Sequence, residues 1–325
     1  FLQLQDALDT GAFDTIVVRG AKIAGLHSTG DIEFLSLKLE GRASGVRKVR
    51  LRSRIGGQKL SLSARAKPSA DGLHLSLSLN GPYLAASFSG NAAKNGTPLS
   101  GDVRLAVHDV RGWGPLSELW PELPLPRVPV SLSGRLDHHG TRWAFDHASL
   151  RIGGSVGSGF LSLSEEQNGR YALDGTISWT ELVLADMVLA RPPHAKEPAR
   201  SIFSRADADL RISADHVVAF GQSMHGSAIA LVIRDGRLWA DLAELSVFNG
   251  TARGRFEADL AKGEPVSLGA SIEGADLLQL TAAFLLPPVI SGKGDVSVDL
   301  RFDGNDESQL RRAEGRVRVT GLDTA

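Results

Sequence analysis

Residues 274–294 read Gly274-Ala-Asp-Leu-Leu-Gln-Leu-Thr-Ala-Ala-Phe-Leu-Leu-Pro-Pro-Val-Ile-Ser-Gly-Lys-Gly294. The Leu-rich centre, Asp276 to Leu286, has the spacing of a short apolar helix, and Pro287 and Pro288 cannot continue one. On either side the period changes from helical to two. Val266, Leu268, Ala270 and Ile272 alternate with small or polar residues before the helix, and Val296, Val298, Leu300 and Phe302 do so after it. Such alternation marks strands with one sheltered and one wetted face. The unit is therefore strand, short helix, proline stop, glycine-flanked strand.

This unit recurs. Leu150–Leu182 aligns without gaps on Leu245–Leu277, a constant offset of 95 residues that sets Gly159 on Gly254, Leu173 on Leu268 and Ile177 on Ile272. Other pairings, such as Phe160 on Arg255, are dissimilar, so the repeat is one of structure more than of composition. A further helix–proline element is expected at Pro115–Pro126, where Leu116, Leu119, Trp120 and Leu123 share a helical face.

Alternation covers most of the remaining chain, from Ile32–Leu39 and Leu60–Ala66 to Leu73–Leu79, Val103–Val107, Val128–Leu136, Tyr171–Trp179 and Ile229–Ile233. Trp143–Phe145 and Leu150–Ile152 read as two further short strands. Pro68-Ser-Ala-Asp-Gly72, Asn80-Gly-Pro82 and Asn95-Gly96 carry turn chemistry, with Asp-Gly and Asn-Gly expected to supply the positive φ of tight hairpins. Strands this close together, without long helices between them, predict an all-β chain of antiparallel meanders with few short helices. A sandwich, a closed barrel and an open trough all satisfy the pattern. The segment 191–200, Arg191-Pro-Pro-His-Ala-Lys-Glu-Pro-Ala-Arg200, breaks the rhythm with three prolines. It divides the chain into an N-terminal β-groove segment over 1–110, a first repeat over 111–190, the loop itself, and a second repeat over 201–325, all expected to share one architecture.

Composition sets further bounds. Of 325 residues, 42% are hydrophobic but only 6% aromatic, so the sheltered face must be built mainly from Leu, Val, Ile and Ala. Lys and Arg number 36 against 37 Asp and Glu, a net charge of −1 that gives no global reason to expect a nucleic-acid partner. With no cysteine, disulfides and thiolate chemistry are excluded. No run approaches the roughly 18–20 apolar residues needed to cross a bilayer as a helix. Phe1-Leu-Gln-Leu-Gln-Asp6 shows neither a start methionine nor a charged-then-apolar signal, so the chain reads as part of a longer one.

The residues that carry the repeat also carry a resemblance. Ser246-Val-Phe-Asn-Gly-Thr-Ala-Arg-Gly254, Gly274-Ala-Asp-Leu-Leu278 with its apolar helix, Ile290-Ser-Gly-Lys-Gly-Asp295 and Glu314-Gly-Arg-Val-Arg-Val319 resemble the C-terminal region of the AsmA family of bacterial envelope proteins. The resemblance implies the trough, an elongated, curled antiparallel sheet with few short helices: a β-groove in the periplasm of a Gram-negative bacterium, attached to the inner membrane through sequence outside this chain. It also implies a non-enzymatic conduit that shelters phospholipid acyl chains between inner and outer membranes and supports outer-membrane assembly, with possible envelope protein partners. The contrasting expectation is a surface adhesin or scaffold, a β-solenoid or sandwich with a closed core and no lipid cargo.

Residues with chemistry of their own are few. Adjacent strand residues point to opposite faces, so His138 and His139 are poorly placed to share a metal, and Asp137-His-His-Gly140 reads better as a hairpin turn. Asp303-Gly-Asn-Asp-Glu307 lacks the spacing of a calcium loop and reads as a solvated hairpin tip. Gly153-Gly-Ser-Val-Gly-Ser-Gly159 opens no helix that could cradle phosphate and reads as a strand bend. No cofactor, metal site or catalytic residue is expected. The groove lining is expected from Leu60 and Leu62, from Leu73, Leu75, Leu77 and Leu79, from Val103, Leu105 and Val107, from Val266, Leu268 and Ile272, and from Val296, Val298, Leu300 and Phe302. Arg50, Arg52 and Arg54 lie on one strand face within Gly41–Gly57, a stretch without acids. They read as a solvated face or as contacts to lipid headgroups or an anionic membrane surface.

Overall fold

Period-two alternation becomes strand throughout. The computed structural model describes residues 14–23, 32–41, 45–55, 57–93, 97–109, 111, 125–166, 169–187, 189–190, 206–219, 222–259, 266–283, 291–302 and 314–323. The chain divides into two compact units, Phe1–Gly153 with Leu189–Ala195, and Gly154–Val188 with Lys196–Ala325. The division between the long segments thus falls at the Gly153-Gly154 turn, before the proline-rich segment taken above as the boundary; residues 191–200 lie outside the described residues.

The first unit contains β1 (Thr15–Ile23), β2 (Ile32–Gly41), β3 (Arg47–Ile55), β4 (Gln58–Ser69), β5 (Gly72–Asn80), β6 (Leu84–Ala93), β7 (Leu99–Val107), β8 (Val130–His139) and β9 (Arg142–Ile152). Each pairs antiparallel with the next. Leu125–Pro126 and Leu189–Ala190 form a separate two-residue ladder. Trp143–Phe145 and Leu150–Ile152, expected as two strands, are one: β9 runs through both, with an irregularity between Asp146 and Ser149 where His147 takes a positive φ of 51°. A bulge of this kind keeps apolar residues on the same face across a break in alternation.

The second unit contains β10 (Ser155–Glu165), β11 (Tyr171–Val183), β12 (Ala206–Ala219), β13 (Gln222–Arg234), β14 (Arg237–Val247), β15 (Gly250–Asp259), β16 (Val266–Asp276), β17 (Lys293–Phe302) and β18 (Glu314–Asp323). Seven of its eight sequential pairings are antiparallel. The exception is β11 with β12, which run parallel with Tyr171 opposite Ala206 and Val183 opposite Val218. The purely antiparallel expectation therefore fails at one joint, where the chain returns to the start of the preceding strand. Arg170 ties this joint by pairing with Asp207, whose carboxylate also accepts the Asp235 amide at 3.0 Å.

The 95-residue offset is visible in the strands. β10 and β15 begin at 155 and 250, and β11 and β16 at 171 and 266. After β11 comes a 3-10 turn, Leu184–Met187, and after β16 comes the helix α1, Leu277–Ala283. Asp276 caps α1, its Oδ1 accepting the amides of Leu278 and Gln279 at 3.1 Å each. Residues 284–286 and the two prolines, like Pro115–Pro124, Asn95-Gly96 and Asp303–Glu307, lie outside the described residues.

Turn chemistry is partly redistributed. The hairpin between β14 and β15 is made by Phe248 and Asn249, at φ of 50° and 58°, and Gly140 opens the β8–β9 hairpin at 59°. Gly72, by contrast, opens β5 without a positive φ. A Cβ there would stand 2.1 Å from the Ala92 carbonyl oxygen, so close strand approach, rather than turn geometry, requires glycine.

Candidate functional site

Register decides which side chains meet. In the first unit, one cross-strand row runs Val18, Leu37, Leu51, Leu62, Leu79, Ala86, Leu105, Leu132, Leu150. A second runs Val49, Ala64, Leu77, Phe88, Val103 and Gly134 beside it. Both lie on the same face, and Leu73 and Leu75 extend it toward the β4–β5 turn. At the other end of these strands Leu60, Leu84, Val107 and Val130 are buried, and Leu79, Leu105, Leu150 and Ile152 pack against the Leu84–Val107–Val130 core. Leu77, in the middle of the face, remains 40% exposed.

The second unit repeats this plan with different residues. Ile177, Ile212, Ile229, Leu242, Gly254, Ala270, Val298 and Val317 form one row. Leu161, Gly175, Leu210, Leu231, Ala240, Phe256, Leu268, Leu300 and Gly315 form the next. Ile272 pairs with Val296, and Val266 pairs in the backbone with Phe302, whose side chain lies outside the described residues. The expected lining residues thus separate into two sets, one per unit, each on a single apolar face.

Burial concentrates at one end of this second face. Trp179, Leu182, Val217, Met224, Val247, Ala252, Val296 and Leu277 are all buried there. Between them lies a cavity of about 290 Å³ whose wall includes Leu182, Val217, Met224, Leu242, Val247 and Ile272, with Leu184 of the 3-10 turn and Ala283 of α1. Six consecutive strands, β11 to β16, contribute to this one wall, so the sheet curls around the space. Length and composition suggested no roof, yet the two short helical segments help close this end.

Gln222, Arg253 and Ser271 also border the cavity, and two further wall residues, Phe248 and Ser227, depart from a simple aliphatic lining in ways that bear on the site. Phe248 occupies the left-handed region, which a bulky side chain adopts only at a cost of order 1 kcal/mol. Its carbonyl accepts the Asp276 amide at 2.7 Å, fixing the hairpin against the start of α1. Ser227 is buried in the wall, and its Oγ has no hydrogen-bond partner. A hydroxyl left this way destabilises the fold by about 1–3 kcal/mol unless something polar reaches it. Neither residue was legible as part of a site: Phe248 carried only the aromatic position of a strand motif, and Ser227 one more serine in an alternating run.

No family model, curated protein or solved structure matches this chain.

Arg50, Arg52 and Arg54 project from the opposite face to Val49 and Leu51, away from the aliphatic rows. The stretch around them lacks acids, but the neighbouring strand supplies two. Arg50 lies 3.4 Å from Glu40 and Arg54 lies 2.8 Å from Glu33. His138 and His139 are divided as expected, His138 stacking on Trp143 with ring centroids 3.8 Å apart. Asp137, His138 and His139 are, however, strand residues paired with Ala144, Trp143 and Arg142, so the hairpin turn expected at 137–140 falls instead on Gly140 and Thr141. Among the described residues no three His, Asp or Glu side chains are grouped to hold a metal ion.

Gly153-Gly154-Ser155-Val156-Gly157 has the Gly-x-Ser-x-Gly spacing of a nucleophile elbow, a match the reading of this stretch as a bend passes over. The surroundings differ from that motif. Ser155 is fully buried at the start of a strand, and its Oγ accepts the Val183 amide at 2.8 Å. The glycines serve packing instead: a Cβ on Gly157 would meet the Trp179 ring at 2.7 Å, and β10 slips register beside it.

Proposed function

We propose that the chain shelters phospholipid acyl chains on its apolar sheet faces, as a non-enzymatic carrier or conduit in the bacterial envelope. The observation that carries this reading is the curled, aliphatic wall of the second unit, with a cavity at one end and half-exposed Leu and Val rows beyond it. Transfer of each methylene from water to such a surface contributes about 0.8 kcal/mol. An acyl chain therefore gains enough from a smooth wall without specific polar contacts, which would slow its passage. Ser227 offers one hydrogen bond inside that wall, suited to a single polar atom of a lipid.

The resemblance of Ser246–Gly254 and Gly274–Gly294 to the AsmA family points the same way. It supports a periplasmic location, with attachment to the inner membrane through other sequence and traffic toward the outer membrane. The adhesin or scaffold alternative predicts a core filled by its own side chains; the exposure of Leu77 and Leu163 on these faces favours the carrier. Native mass spectrometry and solvent extraction of the purified chain test the proposal. Co-purifying phospholipid is expected, and a wild-type chain that carries none, even after incubation with phospholipid micelles, contradicts it.

A further inference from the structure

The outer face of β1 to β4 has a charge unlike that of the whole chain. Register places Arg19, Lys38, Lys48, Arg50, Arg52, Arg54, Lys59, Arg65 and Lys67 on it, with only Glu33 and Glu40 as acids among the described residues. Nine cations against two acids leave seven uncompensated positive charges, whereas the chain as a whole carries −1. Both acids are engaged, Glu40 by Lys38 at 2.5 Å and by Arg50, and Glu33 by Arg54. Lys38 foremost, with Arg50 and Lys48, holds the Glu40 carboxyl below the usual carboxylate range. Arg52, Lys59, Arg65 and Lys67 are exposed and have no acid partner among the described residues.

We infer that this face docks on an anionic bilayer surface. The charges are spread in two dimensions: β2 to β4 span about 10 Å across, and Lys59 to Lys67 about 27 Å along the strand. That is the shape of a plane of headgroups. Ser36 and Ser63 alternate with the cations and add hydroxyl donors for phosphate oxygens, while the Ser61 hydroxyl donates to the Asn80 carbonyl at 3.3 Å. A nucleic acid fits less well, because this face presents no aromatic side chain on which bases could stack among the described residues. The inference is independent of what the apolar face carries, since the two lie on opposite sides of the sheet. Docking through the cationic face requires acidic lipid and weakens with salt, whereas insertion of the apolar face requires neither.

Sedimentation with vesicles of phosphatidylglycerol and phosphatidylcholine, against phosphatidylcholine alone, tests it on the whole chain. Binding is expected only to the acidic vesicles and is lost on raising the salt. Replacing Arg52, Arg65 and Lys67 together by Gln lowers partitioning about a hundredfold, while replacing Arg211, Arg255 and Arg316 of the second unit by Gln leaves it unchanged. Circular dichroism of each variant confirms the fold, and the salt dependence of the wild type stands if a variant unfolds. Equal binding to both vesicle types, no binding to either, or retained binding in the folded first-unit variant overturns the inference. So does a single-stranded oligonucleotide that binds more tightly and displaces the vesicles, which assigns the face to nucleic acid.

Discussion

The two units present the same inner face and different outer ones. In both, nine strands align Leu, Val, Ile and Ala into cross-strand rows, and one end of the rows is buried. On the outer side, the first unit gathers cations over β1 to β4, whereas the second balances them. There Arg255 pairs with Asp241 at 2.7 Å, Arg253 with Glu273 at 2.9 Å and Arg211 with Asp209 at 3.0 Å. A strand's period of two lets one face be held constant while the other is varied residue by residue. The difference teaches that one face keeps its apolar character in both units while the charge of the other changes. The closed ends differ too: a small Leu–Val core in the first unit, a cavity with helical closure in the second.

The largest effects are expected at the closed ends. Val217 is 4% exposed in the cavity wall, and Val217→Asp buries an unpaired carboxylate that should unfold the second unit at a cost of several kcal/mol. Leu84, 1% exposed in the first unit, should lose about 2–5 kcal/mol on replacement by Ala. Limited proteolysis with mass mapping would read the two units separately. Loss of protection in the unit that was not mutated would break the comparison.

A smaller effect on stability separates the middle of the face from its ends. At Leu77 an aspartate can reach water, so Leu77→Asp should keep the melting temperature within a few degrees while reducing bound lipid. A melting transition as damaged as that of Val217→Asp would mean that the first unit's face is a closed core.

The smallest effect belongs to the parallel joint. Arg170 holds the Asp207 carboxyl below the usual carboxylate range, with the Asp235 amide reinforcing it. A depressed carboxylate pKa contributes stability above its unfolded value, near 4, and that contribution is lost as pH falls through the folded value. Asp207→Asn should therefore cost about 1 kcal/mol at neutral pH and little in acid, seen as denaturation midpoints that converge below pH 4. An equal deficit at every pH would mean that packing, not charge, holds the joint.

Much of this fold was legible because alternation needs only local reading. Leu73 to Leu79 and Val296 to Leu300 show one apolar face without any knowledge of their neighbours. The 95-residue repeat was legible for the same reason, since the spacing of strand, turn and helix survived where side chains did not. What escaped depended on partners distant in sequence. The parallel pairing of β11 with β12 has no local signature. Glu33 and Glu40 reach Arg54 and Arg50 only through strand register, so an apparently acid-free stretch gained two partners. The buried Ser227 and the left-handed Phe248 acquire meaning only once β11 to β16 curl around one space.

The central claim is that this curled wall holds acyl chain, and filling its space tests that most directly. Ala270 sits in the wall on the row between Gly254 and Val298. Ala270→Phe adds bulk without polarity, so bound phospholipid per folded chain, measured by native mass spectrometry beside wild type and Arg255→Gln, isolates occupancy of the wall from its chemistry. The account predicts phospholipid on wild type and Arg255→Gln and a marked loss on a folded Ala270→Phe. Equal occupancy in all three, or none in wild type, would contradict it.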